Sequence, residues 1–186
     1  MSRAASGRAN GRAAAGRISP AAAPATPPAL AARVLAWAAL ALAIVGIGMA
    51  SYLAIENLQG KASGICVGSH GCASVQQSEY GKILGIPVSV PGLALYLALA
   101  LAAGAWLLNW RGLRDQVAVL GFYGALFGTL FSGFLTYLEG WVIDAWCTWC
   151  IASAVLMTVL LVLWLGVFLI ALRARRRSDG GPKGVR

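Results

Sequence analysis

The sequence predicts an all-α integral membrane protein, a four-helix transmembrane bundle with both termini cytoplasmic. Three observations lead there. Of 186 residues, 59% are hydrophobic and 11% charged, and the mean hydropathy is +0.74, too apolar for a soluble domain of this length. The apolar residues gather into four runs, each long enough to cross a hydrocarbon core of about 30 Å. The basic residues collect in the two tails and one connection, all of which a four-span topology puts on the same side.

Residues 1–33 are rich in Ala, Gly, Pro and Arg, contain no acid and show no apolar period. Such a segment buries too little surface to fold, and a disordered basic cytoplasmic tail is expected. An Arg-rich, acid-poor start also resembles an organellar transit peptide, but Pro20, Pro24, Pro27 and Pro28 interrupt the amphipathic helix that reading needs. The first span is Val34 to Ile55, longer than the apolar core of a signal peptide and therefore retained. Val88 to Leu108 is the second, with Pro91 in its first turn, where a missing N–H costs little. The third, Val117 to Leu138, carries Gly121, Gly124, Gly128 and Gly133, spaced to let a neighbouring helix approach closely. Cys147 to Leu172 is the fourth, and a basic cytoplasmic tail, 173–186, follows. Residues 34–172 thus form the one membrane domain.

Orientation follows from charge. Arg3, Arg8, Arg12, Arg17 and Arg33 precede the first span, Arg111 and Arg114 lie between the second and third, and Arg173, Arg175, Arg176 and Arg177 follow the fourth. The positive-inside rule makes that side cytoplasmic. The opposite loops, 56–87 and 139–146, hold Lys61 and Lys82 against Glu56, Glu79, Glu139 and Asp144, of which Glu56 and Glu79 read as surface charges. Trp141, Trp146 and Trp149 fit an outer interfacial belt, and Trp37, Trp106, Trp110 and Trp164 an inner one. The net charge of +9 does not indicate nucleic acid, because no basic patch is interleaved with aromatics to stack bases.

All four cysteines fall on the outer side, Cys66 and Cys72 in the first outer loop and Cys147 and Cys150 at the outer end of the fourth span. Cys147-Thr148-Trp149-Cys150 is a C-x-x-C at a helix start. Asp144 is placed to cap that helix, which would set Cys147 in its first turn, where unpaired N–H groups and the helix dipole stabilise a thiolate. Cys150 lies about 4.5 Å deeper at 1.5 Å of rise per residue. Cys147 is then suited to meet a protein thiol and Cys150 a lipid-dissolved oxidant. Cys66 and Cys72 flank a glycine-rich loop segment, suited to swing between partners. Two structural disulfides would also keep every cysteine outside, and a non-enzymatic membrane protein with stapled loops is the alternative. A zinc site from both pairs agrees with the count but competes with disulfide formation in an oxidising compartment, so no metal is expected. His70, between the loop cysteines, reads as solvated.

The order of features resembles the vitamin K epoxide reductase family: a loop cysteine pair after the first span, two further spans, then C-x-x-C opening the fourth. Cys72-Ala-Ser-Val-Gln-Gln-Ser78 matches the family's spacing from the second loop cysteine to a Ser/Thr, and Gly85-Ile86-Pro87 with Gly92 to Tyr96 is similar to its bacterial form. The resemblance covers residues 34–172. It implies that Cys150 passes electrons to a quinone, menaquinone or ubiquinone, and that Cys147 is its exchange partner. It further implies that Cys72 attacks the Cys147–Cys150 disulfide, that Cys66 takes electrons from a DsbA-like or thioredoxin-like protein, and that Ser78 orients the quinone. The implied setting is a bacterial inner membrane with the site on the extracytoplasmic face. Animal members hold the epoxide with a Tyr and an Asn whose places here look like Ala154 and Val88, which argues against epoxide as substrate. The DsbB type has its C-x-x-C in the first outer loop, the reverse of the order here. The chain ends in the basic Arg175 to Arg186 and not in a thioredoxin-like domain, so a separate partner is expected.

Overall fold

The computed structural model describes residues 27–59, 81–83, 85–109 and 112–179. Four long helices dominate it: α1 (Pro27–Leu58), α2 (Ser89–Leu107), α3 (Arg114–Trp141) and α4 (Thr148–Asp179). All four are long and apolar enough to cross a membrane. The first begins at Pro27 and the last runs to Asp179, so both extend beyond the apolar runs into residues read from sequence as tail. Pro27 and Pro28 stand in the first turn, the one place in a helix where their missing N–H groups are not needed.

Before α2 the chain makes a two-stranded antiparallel hairpin, β1 (Lys82–Ile83) and β2 (Ile86–Pro87), with Lys82 opposite Pro87 and Ile83 opposite Ile86. Gly85 supplies the left-handed residue of its turn, at φ +82°. The Val88 N–H donates to the Gly81 carbonyl at 3.0 Å, which closes the hairpin against the start of α2.

The helices form a closed square. α1 packs on α2 and α4, and α3 packs on the same two from the opposite corner. Small residues make this closeness possible. Ala32, Ala36, Ala39, Ala43 and Ala50 of α1 are all buried, at intervals of three, four and seven that keep one face of the helix turned inward. On α3, Gly121 lies under the indole of Trp164, and a side chain at Gly128 would meet Leu95 and the Met157 sulfur at 2.8 and 2.9 Å. Gly124 faces Leu99, whereas nothing lies within 4 Å of Gly133. The glycine face expected on the third span therefore exists over its first two turns of glycine and fades after Gly128. Between α3 and α4, Phe122 stacks on Phe168 with ring centroids 5.1 Å apart, and the Thr129 hydroxyl reaches the Met157 carbonyl at 3.2 Å. Large apolar side chains such as Leu101, Leu120, Phe127, Leu130 and Val162 point outward and are more than half exposed. Small inside and large outside is the pattern of a bundle that lipid surrounds.

Two tryptophans depart from their expected place. Trp164 is fully buried and Trp106 is 7% exposed, so neither serves an interfacial belt. Each fills the space beside small residues, and packing outweighs the cost of an indole N–H that has no acceptor among the described residues. Trp37, Trp141 and Trp146 are exposed, as a belt requires. Trp110 lies outside the described residues.

Gly121→Ala should lower the stability of the bundle by about 1–3 kcal/mol, because its Cβ is driven into the Trp164 ring. Gly133→Ala, in open space, should be neutral or stabilising by up to about 1 kcal/mol. Thermal unfolding of the two variants in detergent checks the contrast.

Candidate active site

The end of α3 and the start of α4 build the site. α3 ends at Trp141, and the turn to α4 is pinned by backbone bonds from Ile143 N–H to Leu138 O at 2.9 Å and from Ala145 N–H to Glu139 O at 3.1 Å. Asp144 takes the left-handed region, at φ +51°, and is exposed. It does not cap α4. The helix starts at Thr148, and Cys147 itself occupies the capping position, its carbonyl accepting the Ile151 N–H at 3.0 Å. Asp144 lies three positions before it, and the Ala145 bond draws the chain back towards α3.

The carboxylate that does cap this helix comes from the preceding one. Glu139 Oε2 accepts the Cys147 N–H at 3.1 Å. Glu139 is 1% exposed, the one buried charged residue among those described, and its Oε1 has no hydrogen-bond partner among them. Sequence reasoning placed Glu139 in the outer loop 139–146 and gave it no role. It is instead in the last turn of α3, turned into the bundle. The available signal was an acid directly following the apolar run that ends at Leu138, eight residues before the C-x-x-C. One N–H at this helix start, that of Cys147 itself, is therefore paired with Glu139.

Cys147 and Cys150 are both free thiols, and their sulfurs lie with a Glu139 oxygen within 4.8 Å of one another. The two thiols differ in access. Cys147 is fully buried, with Ile143, Ala145 and Trp149 packed about it, so a protein thiol reaches it only if the 142–147 turn moves. Cys150 is half-buried and opens on a cavity of about 90 Å³. Both sulfurs and the carboxylate could serve a thiophilic divalent cation in the dithiol state; a disulfide would remove two of the three ligands.

The Cys150 cavity lies where the ends of α1 and α3 meet the starts of α2 and α4. Its wall is mostly apolar, with Met49, Leu53, Val88, Leu135 and Trp149. The Trp149 ring stands 5.7 Å from that of Tyr52. Polar groups enter at a few points. One turn below Cys150, Ser153 Oγ hydrogen-bonds the Tyr96 hydroxyl at 2.9 Å, and Tyr96 lies over Gly46 of α1. Ser89, at the first residue of α2, also lines the cavity, and its buried hydroxyl has no hydrogen-bond partner among the described residues. A buried hydroxyl without a partner fits a ligand that brings an acceptor, as a quinone carbonyl does. Neither Ser89 nor Ser153 stood out in the sequence, since a serine near a helix start reads first as a cap.

Val88 also lines this cavity. Ala154 does not: it faces a shallow groove with Thr136, Val155 and Thr158. A side chain at 154 therefore points away from the Cys150 cavity, and the position that looks into it is 153. The remaining sequence candidates, Cys66, Cys72, Ser78 and His70, lie outside the described residues.

The family model described as Vitamin K epoxide reductase family matches residues 37–165, more than half of the 186-residue chain. No curated protein matches the chain.

Removing the Glu139 acceptor should be costly because it leaves a buried N–H unpaired. Glu139→Ala is expected to destabilise the protein by about 1–3 kcal/mol, and Glu139→Gln, which keeps an amide oxygen for the Cys147 N–H, by clearly less. A thiol-reactive dye that reports unfolding by labelling exposed cysteines measures both.

Proposed function

The chain belongs to the vitamin K epoxide reductase family, and from that membership we propose that it is a membrane thiol:quinone oxidoreductase that generates disulfides. The observation that carries this reading is the asymmetry of the pair: Cys150 opens on an apolar cavity beside a hydroxyl that has no partner among the described residues, while Cys147 stands behind it within sulfur-to-sulfur reach. Quinone, when bound, supplies a two-electron acceptor. Ser89 is the donor to one of its carbonyls, and the Tyr96–Ser153 pair bounds the cavity beneath Cys150. The apolar wall excludes water from the thiol that gives up electrons.

In this proposal the dithiol Cys147–Cys150 is oxidised to a disulfide as the quinone is reduced. Cys72 then attacks that disulfide and Cys66 passes on electrons from a separate DsbA-like or thioredoxin-like protein, with Ser78 helping to orient the quinone. The Arg-bearing end faces the cytoplasm and the cysteine end the extracytoplasmic side of a bacterial cell membrane, the direction that the positive-inside rule supports. The buried position of Cys147 adds a requirement to the relay. The 142–147 turn, although pinned by backbone bonds to Leu138 and Glu139, has to open for each exchange. Position 154 is an alanine turned from the cavity, so it offers no tyrosine hydroxyl of the kind implied for epoxide binding, and the aromatic hydroxyl that does line the cavity, Tyr96, is engaged with Ser153.

Quinone reduction by purified protein, driven by a small dithiol or by a reduced DsbA-like protein, tests the proposal. Cys150→Ser should abolish turnover with either reductant. Cys66→Ser should block oxidation of the protein substrate and spare reduction by the small dithiol. Ser89→Ala should raise the KM for quinone about 2–10-fold, the value of one hydrogen bond, with a smaller change in kcat. Absence of turnover in the wild type across quinones and reductants would favour a membrane protein with merely structural disulfides.

A further inference from the structure

A second cleft opens at the far end of the bundle from the cysteines. Its volume is about 470 Å³, well above the 90 Å³ or so beside Cys150, and nothing in the redox chemistry uses it. It lies between the start of α1, the end of α2, the first turn of α3 and the end of α4. Arg33, Arg114, Arg173 and Arg177 stand around it, against one acid, Asp115. That carboxylate already faces a further guanidinium, with Arg175 Nε at 3.8 Å from Oδ2. Arg33, Arg173 and Arg177 have no hydrogen bond or ion pair among the described residues. The floor is apolar, made of alanines of α1 and α4 with Ile170.

One of these arginines is fixed in place. Arg114 Nε donates to the Trp106 carbonyl at 3.1 Å, and its guanidinium lies 5.1 Å from the centroid of the Trp106 ring. Topology alone asks only that basic residues stay on one side, free to splay into water. Here they are drawn from three helices around one hollow, and one is braced on a buried tryptophan. The depth is also specific. Arg33 is near the start of its span, Trp106 near the end of its own, Arg114 at the start and Arg173 and Arg177 at the end of theirs, which is the level of the headgroups.

We propose that this cleft binds the phosphate headgroup of an anionic phospholipid, whose acyl chains lie along the alanine and Ile170 floor. Several guanidiniums around one phosphate is recognition by charge and by forked donors. An apolar floor at the rim of the spans suits an anion that arrives with hydrocarbon attached, and a free phosphate would leave it uncovered. Bound there, the lipid ties the ends of α1, α3 and α4 together at the end of the bundle remote from the redox pair. The inference is independent of which electron acceptor the cysteines use.

The test uses the full chain in detergent, with native mass spectrometry titrating phosphatidylglycerol against phosphatidylcholine. Phosphatidylglycerol should be retained in preference, and the double variant Arg173→Gln/Arg177→Gln should weaken its binding about 25-fold, at about fivefold for each charge removed. Both side chains are exposed, so the lipid-free melting temperature should equal that of the wild type. Arg173→Lys/Arg177→Lys should recover most of the binding. Phosphatidylglycerol should raise the melting temperature and inorganic phosphate should not. Equal retention of the two lipids, unchanged binding in the glutamine variant, or a melting temperature raised as much by inorganic phosphate would overturn the proposal.

Discussion

The contact on which the redox end of this protein depends is a single hydrogen bond, from the Cys147 backbone amide to Glu139. It joins the last turn of α3 to the capping residue of α4 across the connection 142–147. A helix end in an apolar setting must have its N–H groups satisfied, because no water is at hand to do it. A side chain from the neighbouring helix does so here, and it sets the rotation of α4 as well as its start. Cys147 is turned into the packed turn, and Cys150, three residues on, is turned towards the cavity. The same carboxyl group lies beside both sulfurs, so the group that positions the pair is also its nearest acid.

Close approach of the helices is the second constraint. Alanines on α1 and glycines on α3 leave no room between backbones for large side chains, and Tyr96, Leu99, Met157 and Trp164 fill what is left. Tyr96 links this packing to the site. It lies on Gly46, and its hydroxyl holds Ser153 beneath Cys150. The floor of the cavity is thus an extension of the core and inherits its rigidity.

The two ends of the bundle differ in shape and lining. At one, a narrow, mostly apolar cavity surrounds a thiol, and buried polar groups are few and placed. At the other, a wider cleft is rimmed by guanidiniums on an apolar floor. A membrane oxidoreductase needs both a dry place for electron transfer and a fixed seat in the bilayer. The separation of the ends lets each be tuned without the other.

Composition and charge by themselves determined the class, the number of spans and the position of C-x-x-C at the mouth of the fourth, since hydropathy over some 20 residues and the spacing of cysteines are local quantities. The order of the cysteine pairs was enough to indicate the family, which the match over residues 37–165 establishes. Tertiary structure decided the rest. That Glu139 is buried and caps α4, that Asp144 does not, that Trp106 and Trp164 are core and not belt, and that residue 153 faces the thiol while 154 faces away all depend on which side of each helix meets its neighbour. An apolar helix in a membrane is apolar all round, so periodicity carries little of that information. Only the packing of small against large across the four helices resolves it.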